Sequence, residues 1–156
     1  ISGGLVGSEM CIRDSDCTFE TGNGCIFKTG CDCTFDTGYG CTFKTWGGCT
    51  FETGYCCTFN TWSNCTFKTG SNCTFETGYD CTFKTGNNCT FDTGHDCTFN
   101  TWSNCTFKTW NNCTFDTGKN CVIIRKDIFE VINMNDIKTK KIKLNDAGEA
   151  GYKIIK

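Results

Sequence analysis

One eight-residue unit, C-T-F-x-T-G-x-[N/D/G], occupies the chain from Cys17 to Asn120 in thirteen consecutive copies. So short a tandem period leaves few folds open. Each unit offers one strand and one turn, cannot bury an apolar face alone, and must stack on its neighbours. Slot one is Cys in every copy from Cys17 to Cys113, slot three is Phe from Phe19 to Phe115, and slot five is Thr throughout. Slot two is Thr except at Ile26, and slot four is always polar, charged in all copies but Asn60 and Asn100.

Side chains alternate across a strand, so Cys, Phe and the second Thr share one face. The first Thr and slot four share the other. A charge at nearly every fourth slot must reach water, which turns Cys and Phe inward. A helix is disfavoured because an eight-residue period fits no helical stripe, and the unit is rich in Thr, Phe and Cys.

Slots six to eight form a corner. Slot eight is Gly, Asp or Asn in twelve copies and Cys56 in the other, the types that best tolerate positive φ. Slot six is Gly in nine copies but Trp46, Trp62, Trp102 and Trp110 in four. Positive φ is therefore not required there, and Gly serves to keep the corner slim.

Two all-β architectures fit. In a β-solenoid, units wrap into coils with parallel strands about 4.8 Å apart. In an antiparallel β-meander, each corner is a three-residue hairpin. Slot four favours the meander: all eight pairs of consecutive charged copies are opposite in sign, which suits antiparallel neighbours, whereas sixteen-residue coils would stack Glu20, Asp36 and Glu52. Burial favours the solenoid, because a single sheet would leave thirteen Phe side chains on a bare face. Duplication also accounts for the alternation, since TWSNCTFKT recurs forty residues on. The expected fold is an all-β solenoid with two repeats per coil and a rod of about 30 Å. A triangular twenty-four-residue coil is the alternative size.

The octad resembles environmental and phage-type octapeptide β-solenoid proteins, and is more distantly similar to ice-nucleation octapeptides and the calcium-binding β-roll. The likeness covers residues 17 to 120. It implies a structural repeat protein of a virion or surface assembly. The G-G-x-G-x-D calcium loop of the β-roll is missing, so calcium is not implied, and the paired outward threonines of ice-nucleation repeats are missing too.

Seventeen Cys in 156 residues would ordinarily announce a disulfide scaffold. Here stacked Cys would have parallel Cβ vectors about 4.8 Å apart, whereas a relaxed disulfide wants about 3.8 Å. Free thiols packed beside Phe are expected, which points to a reducing compartment, cytoplasmic or virion-associated. An even count without Cys11 keeps a bridged, secreted form open. A linear ladder does not converge four thiolates on one point, so no metal is expected. The extra Cys31 and Cys56 read as incidental corner residues rather than a soft site.

No constellation suggests an enzyme, and no catalytic, cofactor-binding or metal residue is assigned. His95 is the only histidine and reads as a solvated corner residue. The acids sit in a repeated slot that alternates with Lys, whereas a catalytic pair would depart from the pattern. N-C-T at Asn64, Asn72, Asn88, Asn104 and Asn112 is a by-product of an octad ending in Asn. The outward Thr column is a candidate ice surface, spoiled by charges at slot four. Tyr39, Tyr55, Tyr79 and the Trp residues lie on corners, a candidate edge for stacking a sugar or base. A net charge of −2 argues against specific nucleic-acid binding, and no apolar run approaches the length of a membrane span.

The ends differ from the repeats. Residues 1–15 share nothing with the octad, and Leu5 to Asp14, LVGSEMCIRD, resembles an adaptor read in frame. They are expected to be non-native, with the true start and any signal peptide lying elsewhere. Residues 16–120 form the solenoid. Residues 121–156 begin with a decayed unit, CVIIRKDI, and read as strands around NMND and DAGEAG turns, a β cap for the open end. Arg125, Lys126, Lys138, Lys140, Lys141, Lys143, Lys153 and Lys156 against five acids suggest a basic patch for a protein partner or a neighbouring subunit.

Overall fold

Each octad becomes one short strand, and the strands sort by parity into two sheets. The structure, a computed structural model, describes residues 9–11, 15–137 and 141–155. Sheet one contains Thr18–Thr21, Thr34–Thr37, Thr50–Thr53 and every second strand onward to Thr114–Asp116. Sheet two contains Ile26–Lys28, Thr42–Lys44 and every second strand onward to Thr106–Thr109 and Val122–Arg125. Within each sheet the strands are parallel and shifted by sixteen residues: Thr82 pairs with Thr98, Phe83 with Phe99, and Thr90 with Thr74. The chain is therefore a β-solenoid of about seven turns, two octads per turn.

The antiparallel meander and the twenty-four-residue coil are both overturned by this register. A meander would pair adjacent octads, whereas adjacent octads here lie in opposite sheets. The charge alternation that favoured it pointed the wrong way. Like charges do stack, Glu20 beside Asp36 and Asp36 beside Glu52, and they are tolerated because these side chains stand in water, where Coulomb energies are small.

The interior is a zipper of rings. From Phe27 to Phe115 every repeat Phe is at most 1 % exposed. Along one sheet the rings stack nearly flat, Phe67 on Phe83 at 4.8 Å and 2°. Across the core they meet edge to face, Phe67 against Phe75 at 5.2 Å and 76°. Both are favourable aromatic arrangements. The two sheets are half a coil out of step, since Phe59 lies 5.2 Å from Phe51 and 5.2 Å from Phe67.

The corners behave as their residue types require. Every slot-eight residue from Asp16 to Asn120 has positive φ, between 54° and 75°. Slot six is crowded: a Cβ on Gly70 would sit 3.1 Å from the Gly54 carbonyl carbon and oxygen. Its amide donates to the Gly54 carbonyl at 2.9 Å, whereas Gly78 reaches the carbonyl of Trp62 at only 3.4 Å. Trp is admitted at the cost of a longer corner bond.

At the C-terminal end, Val122–Arg125 continues the parallel ladder of sheet two, and Val131–Asn133 then pairs with it antiparallel. Lys141–Leu144 lies antiparallel on Thr114–Asp116, and Tyr152–Ile154 on Lys141–Leu144. The parallel register thus stops on both sheets. At the other end, the backbone of Glu9–Cys11 pairs parallel with Ile26–Lys28. The remaining residues of the segment expected to be non-native lie outside the described residues, except Ser15.

Candidate functional site

Slot one forms a continuous ladder of sulfur inside each sheet, and the described cysteines from Cys17 to Cys121 are not joined in disulfides. Each repeat thiol lies against the corner. Cys57 Sγ donates to the Tyr55 carbonyl at 3.6 Å and to the Gly38 carbonyl of the coil below at 3.7 Å. Cys89 does the same with Asn87 and Gly70. A small hydrophobe with a weak donor suits a site that is apolar on one side and rimmed by carbonyls on the other. The Cys65 thiol and burial hold Cys49 well above its ordinary range, and the Cys113 thiol and burial push Cys97 up to about 12. Cys49 and Cys97 are therefore protonated and inert at neutral pH, whereas Cys57 and Cys89, which accept from thiols of neighbouring coils, are shifted below their ordinary range.

The two irregular cysteines are not brought together. Cys31 lies at a corner that follows sheet two and Cys56, which is exposed, at one that follows sheet one. No group of three His, Cys, Asp or Glu that could hold a metal occurs among the described residues. Exposed His95 shares a 2.6 Å contact between Nδ1 and Asp96 Oδ2 and stacks on Tyr79 at 5.1 Å. The Cys97 thiol donates to the His95 carbonyl at 3.5 Å. The N-C-T asparagines all occupy the positive-φ corner position.

The aromatic corners form short exposed columns. Tyr39 stacks on Tyr55 at 5.1 Å and 2°, and Trp46 on Trp62 at 5.5 Å and 13°. Trp62 is 63 % exposed, and its column continues as Gly78. There a shallow cleft of about 240 Å³ opens, lined by Asn60, Thr61, Trp62, Glu76, Thr77 and Gly78. Asn60 Nδ2 donates to Glu76 Oε2 at 3.2 Å on its floor. A half-uncovered indole face beside an amide and a carboxylate is chemically suited to a ring that carries hydroxyls.

Sequence reasoning missed a side-chain ladder at slot seven. Ser63 Oγ accepts from the Tyr79 amide at 3.0 Å, Ser71 Oγ from Asn87 at 2.9 Å, and Asn87 Oδ1 from Ser103 at 2.9 Å. The recurrence of Ser and Asn at that slot was the available signal. The ladder continues at slot eight, where Asn120 Nδ2 donates to Asn104 Oδ1 at 3.2 Å and Asn135 Nδ2 to Asn120 Oδ1 at 3.1 Å, tying the cap to the coil.

Arg125 corrects the reading of a basic patch. Its side chain is fully buried and bonds Asp127 through Nε and Nη2 at 3.1 and 2.6 Å. Nη1 donates to the Glu149 carbonyl at 2.6 Å, and Glu130 lies 3.6 Å away. Burial works against the Asp127 carboxylate, but Arg125 more than offsets it and holds the carboxyl below its ordinary range. Arg125 is the internal clamp of the cap and cannot face a partner. Lys126 is engaged by Asp92. Lys138, Lys140 and Lys156 lie outside the described residues, leaving Lys141, Lys143 and Lys153 on the last two strands.

No helix among the described residues is long and apolar enough to cross a membrane. No family model, curated protein or solved structure matches this chain.

Proposed function

We propose that this chain is a non-enzymatic structural rod that engages other proteins through its repeated faces, as a component of a virion or surface assembly. One observation carries the reading. The chemically capable side chains stand in periodic exposed columns on a solid aromatic core, with the slot-four residues outward and every repeat Phe within. A periodic surface suits repeated weak contacts with an extended partner, because many modest interactions act together. The free thiols fit a reducing site of assembly, in the cytoplasm or within a particle.

The test is fractionation. Particles and envelopes from the source material should retain the protein through a density gradient. A protein that stays wholly in the soluble fraction at every stage would contradict the reading.

A second reading has its own observation, the exposed indole of Trp62 above Asn60 and Glu76. It makes the corner a glycan-stacking edge. Oligosaccharides should then quench tryptophan fluorescence in the parent and not in Trp62→Ala.

A further inference from the structure

Consecutive octads face opposite ways, and this turns a sequence pattern into a surface pattern. On sheet one the outward charges run Glu20, Asp36, Glu52, then Lys68, Lys84, then Asp116. On sheet two they run Lys28, Lys44, then Glu76, Asp92, then Lys108. Sign reverses along both columns, and at each level the two faces of the rod carry opposite charge.

Inside one rod this arrangement is unfavourable. Vertical neighbours are like-charged at Glu20–Asp36, Asp36–Glu52, Lys28–Lys44, Lys68–Lys84 and Glu76–Asp92. Only Glu52–Lys68 and Asp92–Lys108 are opposite. The alternation from octad to octad brings no compensating contact, because successive slot-four residues stand on opposite sides of the aromatic core.

A second copy does use it. We propose that rods stack face to face by translation, sheet one of one copy on sheet two of the next, all pointing the same way. The half-coil offset of the two sheets, seen in Phe59 midway between Phe51 and Phe67, then sets the register. Each slot-four residue of one copy comes down about 2.4 Å above one facing residue and below another, and these belong to the preceding and following octads. All eight charged pairs of that kind are opposite in sign and none is alike. Turning the second copy about the rod axis, so that identical sheets face each other, puts like on like at every level. Where the chain makes its own ion pairs, the slot-four groups stay accessible: Lys68 and Glu52, 2.5 Å apart, keep 61 % and 59 % of their side chains in solvent, and Asp92, engaged by Lys126 of the cap, keeps 48 %.

A translational interface is heterologous and does not close, so copies add indefinitely into a layer of rods. Each contact between exposed charges is weak and screened by salt, and assembly depends on their number. The inference rests on the reading of the chain as an interaction rod and names its partner as a second copy.

The test is sedimentation velocity on the full chain across a salt series from about 0.01 M to about 1 M, over which the Debye length falls from about 30 Å to about 3 Å. The parent should form large species at low salt that dissolve as salt rises. A variant with sheet one inverted (Glu20→Lys, Asp36→Lys, Glu52→Lys, Lys68→Glu, Lys84→Glu, Asp116→Lys) should stay monomeric at low salt while keeping the parent circular dichroism. A second variant that also inverts sheet two (Lys28→Glu, Lys44→Glu, Glu76→Lys, Asp92→Lys, Lys108→Glu) should assemble again, showing that complementarity and not residue identity is required. Assembly of the one-face variant equal to that of the parent overturns the proposal, as does a parent that remains monomeric at low salt. The latter result leaves the interaction-rod reading to its own fractionation test, so the two failures are distinguishable.

Discussion

Removing one ring from the middle of the zipper should cost more than removing one from its end. Phe75 stacks on Phe59 and Phe91 at 4.8 Å and meets Phe67 and Phe83 edge to face at 5.2 and 5.3 Å. Phe19, in the first octad, meets only two repeat rings, Phe27 at 5.5 Å and Phe35 at 5.0 Å. A buried Phe→Ala change costs about 3–5 kcal/mol, and Phe75, enclosed by four rings, belongs at the upper end. Each aromatic contact contributes about 0.5–1.5 kcal/mol beyond area, so two fewer contacts make Phe19→Ala cheaper by about 1–3 kcal/mol. A central lesion also uncouples the two halves of a molecule whose stability is a chain of neighbour terms, which broadens the transition. Guanidinium unfolding followed by far-ultraviolet circular dichroism reads both midpoint and slope. Equal losses at the two positions, or a loss below about 1 kcal/mol at Phe75, would refute the interleaved ring core.

Three further outcomes follow from single features. Cys56 holds φ of 58° at a corner where other octads carry Asn, Asp or Gly; Cys56→Gly should raise the unfolding free energy by about 1 kcal/mol, read as a higher denaturation midpoint, and an unchanged or lower midpoint would count against backbone strain there. Folding raises the thiols of Cys49 and Cys97 above 9.0, and those of Cys65 and Cys81 to about 11. Unfolded thiols ionise first, so this stability is complete below pH 9 and lost as pH climbs toward 12. Cys57 and Cys89, which accept from thiols of neighbouring coils, shift the other way, but their contribution builds up below pH 9 and adds no slope above it. Melting in reductant should still fall between pH 9 and pH 11, and a flat profile would contradict buried, protonated sulfur. Arg125→Ala strands Asp127 and frees the carbonyls of the 146–151 turn; it should destabilise the cap by about 3–5 kcal/mol, read as lost amide protection on the last two strands. Retained protection would sink the clamp.

The inward parity of Cys and Phe was legible because slot four is polar in every copy, and a charge has only one tolerable side. Positive φ at slot eight was legible for a similar reason: Asn, Asp and Gly share little else. Coil size was not. An eight-residue period says where corners fall and not how many close a turn, and the decision lies in how Phe rings interleave across the core. The sign alternation was visible but read as evidence for antiparallel neighbours, because like charges on adjacent strands looked costlier than they are in water. Arg125 was grouped with the exposed lysines because charge is readable in a sequence and burial of one guanidinium is not. The Ser and Asn ladder at slot seven was hidden by its mixture with Tyr, His, Gly and Lys.

The number of strands per repeat distance is the most direct check on the account. Thr34 and Thr98 are outward slot-two residues, and sheet one places four strand steps between them through Thr50, Thr66 and Thr82. Ketone-bearing residues at these two sites would carry spin labels without touching the cysteines. Double electron–electron resonance should then report a Cα separation of about 19 Å, four spacings of about 4.8 Å. A separation near 38 Å, eight spacings, would mean one strand per octad in a single sheet and would contradict the parallel sixteen-residue coil.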